Sequence, residues 1–364
     1  MISWLQELIQ TDTPSGHKPE LDRLAANFAS RFREDGAQVR VVEQPEQGNH
    51  IWVRFGPAES AQKPLLLLGH MDTVWEAGES LRRPPRIEDG KIFGPGAFDM
   101  RGGLTLLLAL SRYLSLHPNL LQRPVTLLLN SDEETGSHSS RALIEAEARQ
   151  SEAVLVLEPC LPGGAAKTSR KGVGTFTLAV TGVAAHAGVN PTAGASAIEE
   201  IAHQVLEISR LGDPIKGTTL NVGVIRGGTH SNVVADRAEI EVDFRVRTIA
   251  EGQRLMQRVN ALQAVNPRVR LQVSGGLSRP PLERTEKVIQ LFQRARKLAA
   301  ELGFQLDEGE TGGGSDGCFT AALGIPTLDG LGPDGDGPHA LHEHVRLSSL
   351  VPKAALLASL VTQL

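Results

Sequence analysis

His70 stands two residues before Asp72 in Gly69-His70-Met71-Asp72-Thr73, directly after the apolar run KPLLLLG. An imidazole at the carboxyl end of a buried strand lies where open α/β sheets build their sites. On an extended segment this spacing puts both side chains on one face, where a carboxylate accepts the second ring N–H and fixes the tautomer. Asp99 sits in GPGAFDMRGG, whose four glycines imply backbone in unusual conformations. Asp132-Glu133-Glu134 follows a second apolar run, VTLLLN, and Glu158 ends a third, AVLVL. Three adjacent like charges repel unless something positive organises them. A divalent metal would do so, with one glutamate as ligand and its neighbour left as a general base toward water.

Taken singly, each segment has an ordinary reading: a loop histidine, an aspartate capping the next helix, a solvated acidic run. Those readings leave unexplained why acids and imidazoles follow separate buried strands. A polar loop near the carboxyl terminus, GPDGDGPHALHEH, offers His339, His342 and His344 as further imidazoles. Imidazole and oxygen donors suit zinc, and also cobalt or manganese, in a site with an open coordination position. Cys160 and Cys318 are the only cysteines, too few for a disulfide framework or a thiolate zinc site.

Positioning these groups requires strands joined by helices. KPLLLLG, VTLLLN and AVLVL are continuous apolar runs, the pattern of strands buried on both faces. Helical patterns at Leu104 to Leu116 and from Ser137 to Arg149 alternate with them, which argues α/β. After Gly172 the pattern changes. TFTLAVTG alternates like a half-exposed strand, and Asn190-Pro191 caps a helix through Arg210. Two strands, TTLNVGVIRGG and AEIEVDFRVR, then a helix and the strand RVRLQVSG complete a β-α-β-β-α-β order. That order is the ferredoxin-like unit. From Thr285 the α/β pattern resumes with a helix to about Leu302, the turn TGGGSD, a short helix, the strand IPTLDGL and a closing helix from Leu347. Residues 173–282 therefore read as a domain inserted into one built from residues 1–172 and 283–364.

The 364 residues are too many for one ordinary core and suit two domains. A net charge of −5 at 22% charged residues carries no polyanion-binding bias, so nucleic acid is not an expected partner. No run of 18 apolar residues occurs, and MISWLQELIQTDTPSG reads as a short amphipathic helix rather than a signal peptide. The expectation is a cytoplasmic protein that does not bind membranes.

The segments LLLLGHMDTV, GPGAFDMRGG, NSDEETGS, LEP, AAHAG, GGTHSNVV, VDFRV and TGGGSD, in this order, resemble the M20 metallopeptidase family over nearly the whole chain. TGGGSD is similar to the glutamate carboxypeptidase branch. The resemblance implies a Zn-peptidase-like catalytic domain with a mixed, mostly parallel sheet and an inserted ferredoxin-like lid and dimerisation domain. It implies two Zn2+, with His70 and Glu158 on one, Glu134 and His339 on the other, and Asp99 shared. Glu133 becomes the general base and Asp72 the residue that orients His70. His339 is preferred over His342 because the family's last ligand precedes a Glu-aromatic-Val segment, whose place Glu343-His344-Val345 occupies with a histidine for the aromatic. The Asp99-Met100 peptide bond is expected to be cis.

In the inserted domain the resemblance implies that His186 reaches the active site of a partner subunit and stabilises the developing oxyanion. It also implies that Asn232 and Arg245 hold the substrate's carbonyl and terminal carboxylate, and that Gly312, Gly313 and Gly314 line the same pocket. The expected reaction is hydrolysis of an amide bond next to a free carboxylate in a small peptide or N-acyl amino acid, releasing a C-terminal residue such as glutamate. An N-acyl-amino-acid deacylase or a dipeptidase is the alternative enzyme, and an inactive metal-binding scaffold the alternative outside catalysis.

Overall fold

Buried side chains along three strands sort into two separate clusters, and this explains their continuous apolar runs. In a computed structural model that describes residues 1–57 and 59–364, Leu65, Leu67, Leu127, Leu129 and Leu155 pack on one side of a sheet. Their partners there include Phe28, Leu107, Phe292 and Leu357, from the helices Lys18–Glu34, Gly102–Leu116, Glu286–Glu301 and Leu347–Gln363. The alternate residues Leu66, Leu68, Leu128, Val154 and Val156 pack on the other side against Ile144 and Ala148 of the helix Arg141–Gln150. Side chains alternate across a strand, so a strand covered on both faces must be apolar at every position.

The sheet has six strands in the order Gln38–Val42, His50–Phe55, Val125–Asn130, Leu65–His70, Ala153–Val156, Thr327–Leu328. Leu65–His70 is parallel to both of its neighbours, Thr327–Leu328 is parallel to Ala153–Val156, and the pairings of His50–Phe55 are antiparallel. The mixed, mostly parallel α/β sheet expected from the sequence is the one observed. Its register places His70 beside Asn130, so the acids that follow each parallel strand emerge at one end of the sheet.

The chain divides into two compact units, one of Met1–Ser169, Arg284–Thr311 and Ser315–Leu364, the other of Arg170–Glu283 and Gly312–Gly314. The second unit has the β-α-β-β-α-β order, in an antiparallel sheet arranged Thr219–Gly227, Arg237–Val246, Gly172–Thr181, Arg270–Arg279. Here burial alternates: Phe176, Leu178, Val180, Ile240, Val242 and Phe244 are buried with Ile201, Ile208, Leu255 and Val259 of the two helices. The intervening residues lie on the other face of the sheet.

Several boundaries differ from the sequence expectation. The helix expected from Ser137 begins at Arg141, and Ser140 makes no side-chain cap, because its hydroxyl donates to Asp132 at 2.6 Å. The helix expected from Asn190 begins at Ala197, where Ser196 accepts from the Glu199 N–H at 3.2 Å; Pro191–Ala193 forms only a 3-10 turn. IPTLDGL contributes two strand residues, Thr327–Leu328. The amphipathic helix at the start is present as Ile2–Ile9, with Leu5, Leu8 and Ile9 buried. Among the described residues, no helix is long and apolar enough to cross a membrane.

Candidate metal centre

His70 is the last residue of its strand and is buried. Its Nδ1 lies 3.0 Å from the Asp72 carbonyl oxygen and 3.4 Å from Asp72 Oδ1. The backbone carbonyl, closer than the carboxylate the i, i+2 spacing pointed to, is therefore the principal acceptor that orients the ring. The Asp72 carboxylate has additional work: it accepts from the Glu133 N–H at 3.2 Å, the Glu134 N–H at 3.1 Å and the Ser15 hydroxyl at 2.8 Å. It thus ties the acidic turn after one strand to the histidine that ends its neighbour.

Two of the four glycines around Asp99 supply conformation and two supply close approach. Gly94 and Gly96 have φ of 157° and 68°. A Cβ on Gly103 would lie 2.1 Å from the Leu157 carbonyl oxygen, so the start of the helix Gly102–Leu116 can approach the strand end beside Glu158 only as glycine. The Asp99-Met100 bond is cis.

His70 Nε2 faces Asp99 Oδ1 at 3.2 Å and Glu158 Oε1 at 3.4 Å, while His339 Nε2 faces Asp99 Oδ2 at 3.4 Å and Glu134 Oε2 at 3.3 Å. Each imidazole thus meets two carboxylates, and the two oxygens of Asp99 belong one to each set. Donor atoms of His70, Glu133 and Glu158 also lie within 4.8 Å of one another, as do those of His70, Asp99 and Glu134. His339 holds φ at 61°, left-handed backbone that is uncommon outside glycine. His344 is buried with its ring 5.0 Å from that of Phe93, and its Nδ1 meets the His342 carbonyl at 3.0 Å.

The charges explain what this cluster would bind. Asp72, Asp99, Glu133, Glu134 and Glu158 face two imidazoles, so the group stays anionic even with both rings protonated. Burial alone would raise the Asp99 carboxyl, but hydrogen bonds from His339 and His70 outweigh it and hold it far below the usual range. Burial works against charge on His70, yet its contacts with Asp72, Asp99 and Glu158 raise it well above the ordinary imidazole value. Asp99 and Glu134 raise His339 to about 10. Burial, reinforced by the charge of Asp99, pushes Glu134 upward.

Glu134 Oε1 is buried with no hydrogen-bond partner among the described residues. A buried acceptor left so is costly unless a cation satisfies it. Tetrahedral coordination with bonds of about 2.0–2.1 Å sets ligand atoms about 3.3 Å apart, the separation found in both sets. The donors therefore fit divalent metal.

Asp132, read with its two neighbours as part of one acidic triplet, is committed elsewhere. It accepts from the Ser139 N–H at 2.7 Å, the Ser139 hydroxyl at 2.8 Å and the Ser140 hydroxyl at 2.6 Å. The hydroxyl-rich run after Gly136 was the signal for that role. Glu343, which served only to fix the register of the last histidine, is buried and bonded to the backbone around Asp99.

The remaining expected residues belong to the second unit. His186 is exposed, and its Nδ1 accepts from the Gly188 and Val189 N–H groups at 3.2 Å. The Asn232 carbonyl accepts from the Ala187 N–H at 2.9 Å. Arg245 donates through Nε and Nη2 to the two carboxylate oxygens of Asp243, each at 2.9 Å, a pairing that the motif alone did not reveal. Gly313 and Gly314 offer their carbonyls to Arg170, and a Cβ built on Gly312 or Gly313 would meet nothing within 4 Å.

A mixed α/β sheet with imidazoles and carboxylates gathered beyond its parallel strands is the architecture of a metal-dependent hydrolase. Residues 66–363 match the model of peptidase family M20/M25/M40, and the chain belongs to that family. It is a metallopeptidase. It is 31% identical over 307 residues to carboxypeptidase G2 of Pseudomonas sp. (strain RS-16), covering 83% of this chain and 74% of that one. Its fold is similar to that of the aminopeptidase PepT from Bacillus cereus, with a TM-score of 0.82 at 22% identity over 99% of this chain and 97% of that one. An M20 family metallo-carboxypeptidase from Sulfolobus solfataricus is also similar, with a TM-score of 0.73 at 16% identity over 99% and 98% of the two chains.

Proposed function

We propose that this protein is a two-zinc carboxypeptidase that hydrolyses an amide bond next to a free carboxylate and releases a C-terminal amino acid, glutamate by preference. The observation that carries the reading is the pair of imidazole and carboxylate sets joined through Asp99. His70 and Glu158 would hold one metal, His339 and Glu134 the other, with Asp99 shared; cobalt or manganese would substitute. Bound there, divalent metal would supply Lewis acidity toward the scissile carbonyl and acidify water. Glu133 accepts the proton of the attacking water on its carboxylate and returns it to the departing amine nitrogen, so the proton balance closes within one residue. Asp72 holds the His70 ring and both glutamate N–H groups during this exchange.

Glutamate specificity rests on the likeness of TGGGSD to the glutamate carboxypeptidase branch and on the similarity to carboxypeptidase G2. Residues 173–282 act in this reading as a lid and dimerisation domain on a catalytic domain of 1–172 and 283–364. Arg245 takes the terminal carboxylate, Asn232 the substrate carbonyl, and Gly312, Gly313 and Gly314 line the pocket. His186 stabilises the oxyanion in the partner subunit of a homodimer. Pairing with Asp243 holds the Arg245 fork rigid for that contact.

The test is a side-by-side assay of zinc- or cobalt-reconstituted protein on folate-type, benzoyl and acetyl glutamates and on dipeptides. Release of glutamate from the folate-type or benzoyl substrates is expected. Preference for acetylated amino acids or dipeptides would transfer the assignment to a deacylase or dipeptidase, and absence of hydrolysis to a metal-binding scaffold.

A further inference from the structure

Glu343 has a carboxylate with no exposure to solvent and four donors upon it. Oε1 accepts from the Phe98 N–H at 3.0 Å and the Asp99 N–H at 2.9 Å, and Oε2 accepts from the Gly96 N–H at 2.8 Å and Trp75 Nε1 at 2.9 Å. Three of these donors are backbone amides of the single turn that presents Asp99. Successive N–H groups curled about an anion form a nest, and here the anion comes from the protein itself. The backbone of Glu343 joins the same arrangement: its carbonyl accepts from the Gly94 N–H at 3.3 Å, and its own N–H donates to the Ala340 carbonyl at 3.0 Å.

The second of those bonds closes the turn Ala340–Glu343 that directly follows His339, and His339 itself sits in the adjoining turn that the Ala340 N–H closes on the Gly337 carbonyl at 3.0 Å. One residue therefore grips both loops that meet at the His339 set, the Asp99 loop through its carboxylate and the His339 loop through its backbone. The His70 set depends on it less. His70 ends a central strand and Glu158 follows another, so both are held by the sheet, whereas the His339 side chain is 49% exposed on a loop. The Trp75 ring is itself held by Arg83, whose guanidinium lies 4.1 Å from the ring centroid.

The geometry points to Glu343 as a positioning residue for the metal centre, one that sets Asp99 and His339 in register and so governs binding of one ion more than the other. This rests on the two-metal reading and adds a residue to it that touches neither metal nor substrate. Glutamine at this position keeps the size but offers one acceptor oxygen, and its NH2 would oppose N–H donors.

The test is calorimetric titration of metal-stripped protein with Co2+ or Zn2+, with the visible absorption of the cobalt form and metal content after gel filtration as further readouts. Wild type, Glu343→Gln and Trp75→Phe are compared. In Glu343→Gln the weaker of two binding steps should lose about 10–100-fold in affinity, the range for residues that orient ligands. The tighter step should change by less than about threefold, well below that range. Trp75→Phe removes one side-chain donor, leaves the backbone nest intact and should keep both steps.

If Glu343→Gln does not fold by circular dichroism, Glu343→Asp, which keeps the charge on a shorter arm, should weaken the same step. Wild-type affinities for both ions in Glu343→Gln or Glu343→Asp would overturn the role. So would a loss in Trp75→Phe as large as in Glu343→Gln, since that would assign the effect to packing of the indole. A wild-type protein that binds no divalent metal would overturn the two-metal reading and the positioning role together; two steps unchanged by substitution would overturn the positioning role alone.

Discussion

At the scale of residues, the site is a division of labour among carboxylates of the same kind. Asp99 offers one oxygen to each imidazole, Asp72 is consumed by backbone N–H groups, and Asp132 is consumed by serine hydroxyls. Glu133 and Glu134 are adjacent in sequence yet differ in partners, with Glu134 facing His339 and Glu133 grouped with His70 and Glu158. If Glu133 is the base, Glu133→Ala should lower kcat by about 10²–10⁴-fold, the contribution of a positioned general base. Metal content after gel filtration should stay at the wild-type value. Full turnover in this variant would remove Glu133 from the mechanism, and loss of bound metal would make it a ligand instead.

At the scale of elements, the fold is decided by where backbone and side chains come closest. The helix Gly102–Leu116 starts against the Leu157 carbonyl, and Gly103→Ala would force either the helix or the strand end to move. Overpacking of this kind costs about 1–3 kcal/mol. A lower melting temperature is expected together with weaker metal binding, because Asp99 and Glu158 lie on the two segments being pushed apart. A variant with unchanged stability would show that the contact relaxes without cost.

In the second unit the helix Ile249–Asn260 is capped by Thr248, which accepts from the Glu251 N–H at 3.1 Å. Hydrogen bonds from Arg254 hold the Glu251 carboxyl down at about 2 against its partial burial, with further help from the Thr218 hydroxyl. A folded-state value below the unfolded one contributes stability that is present above the unfolded value and lost as pH falls toward about 2. Glu251→Gln should therefore lower stability at neutral pH by on the order of 1 kcal/mol, read as a lower melting temperature. The difference from wild type should shrink as pH drops below about 4.5; a constant gap down to about pH 3 would assign the loss to packing rather than charge.

At the scale of the molecule, three hydrophobic clusters coexist among the described residues, one on each face of the six-stranded sheet and one between the antiparallel sheet and its two helices. The second unit ends its sheet at Thr219–Gly227 and exposes Ile225 at 61%, Leu206 at 60% and Ile198 at 46%. An edge strand with apolar neighbours is a surface that pairs readily with a copy of itself, which favours the homodimer proposed above. Sedimentation of the metal-loaded protein should give twice the 39.0 kDa chain mass. A fully active monomer would take His186 out of the catalytic assignment.

The α/β class, the β-α-β-β-α-β order and the acid or imidazole that follows each buried strand were legible in the sequence. Side-chain period and burial are local properties: a strand covered on both faces must read LLLL, and one covered on a single face must alternate. The family was legible for a related reason, since its motifs are short segments in a set order. Helix starts were misplaced at Ser137 and Asn190, because the Ser137 hydroxyl is claimed by Asp316 from far along the chain and Asn190-Pro191 opens only a 3-10 turn before the helix. Ser140 bonds Asp132, and that commitment depends on the folded turn. The tertiary structure alone decided that Asp132 turns to serine hydroxyls and that Arg245 is already paired with Asp243, and it brought His339, the histidine preferred from the resemblance, to Asp99 and Glu134. It alone showed Glu343 beneath Asp99, some 240 residues away in sequence, because hydrogen-bond partners across such a separation are set by the packing of loops and leave no periodic trace.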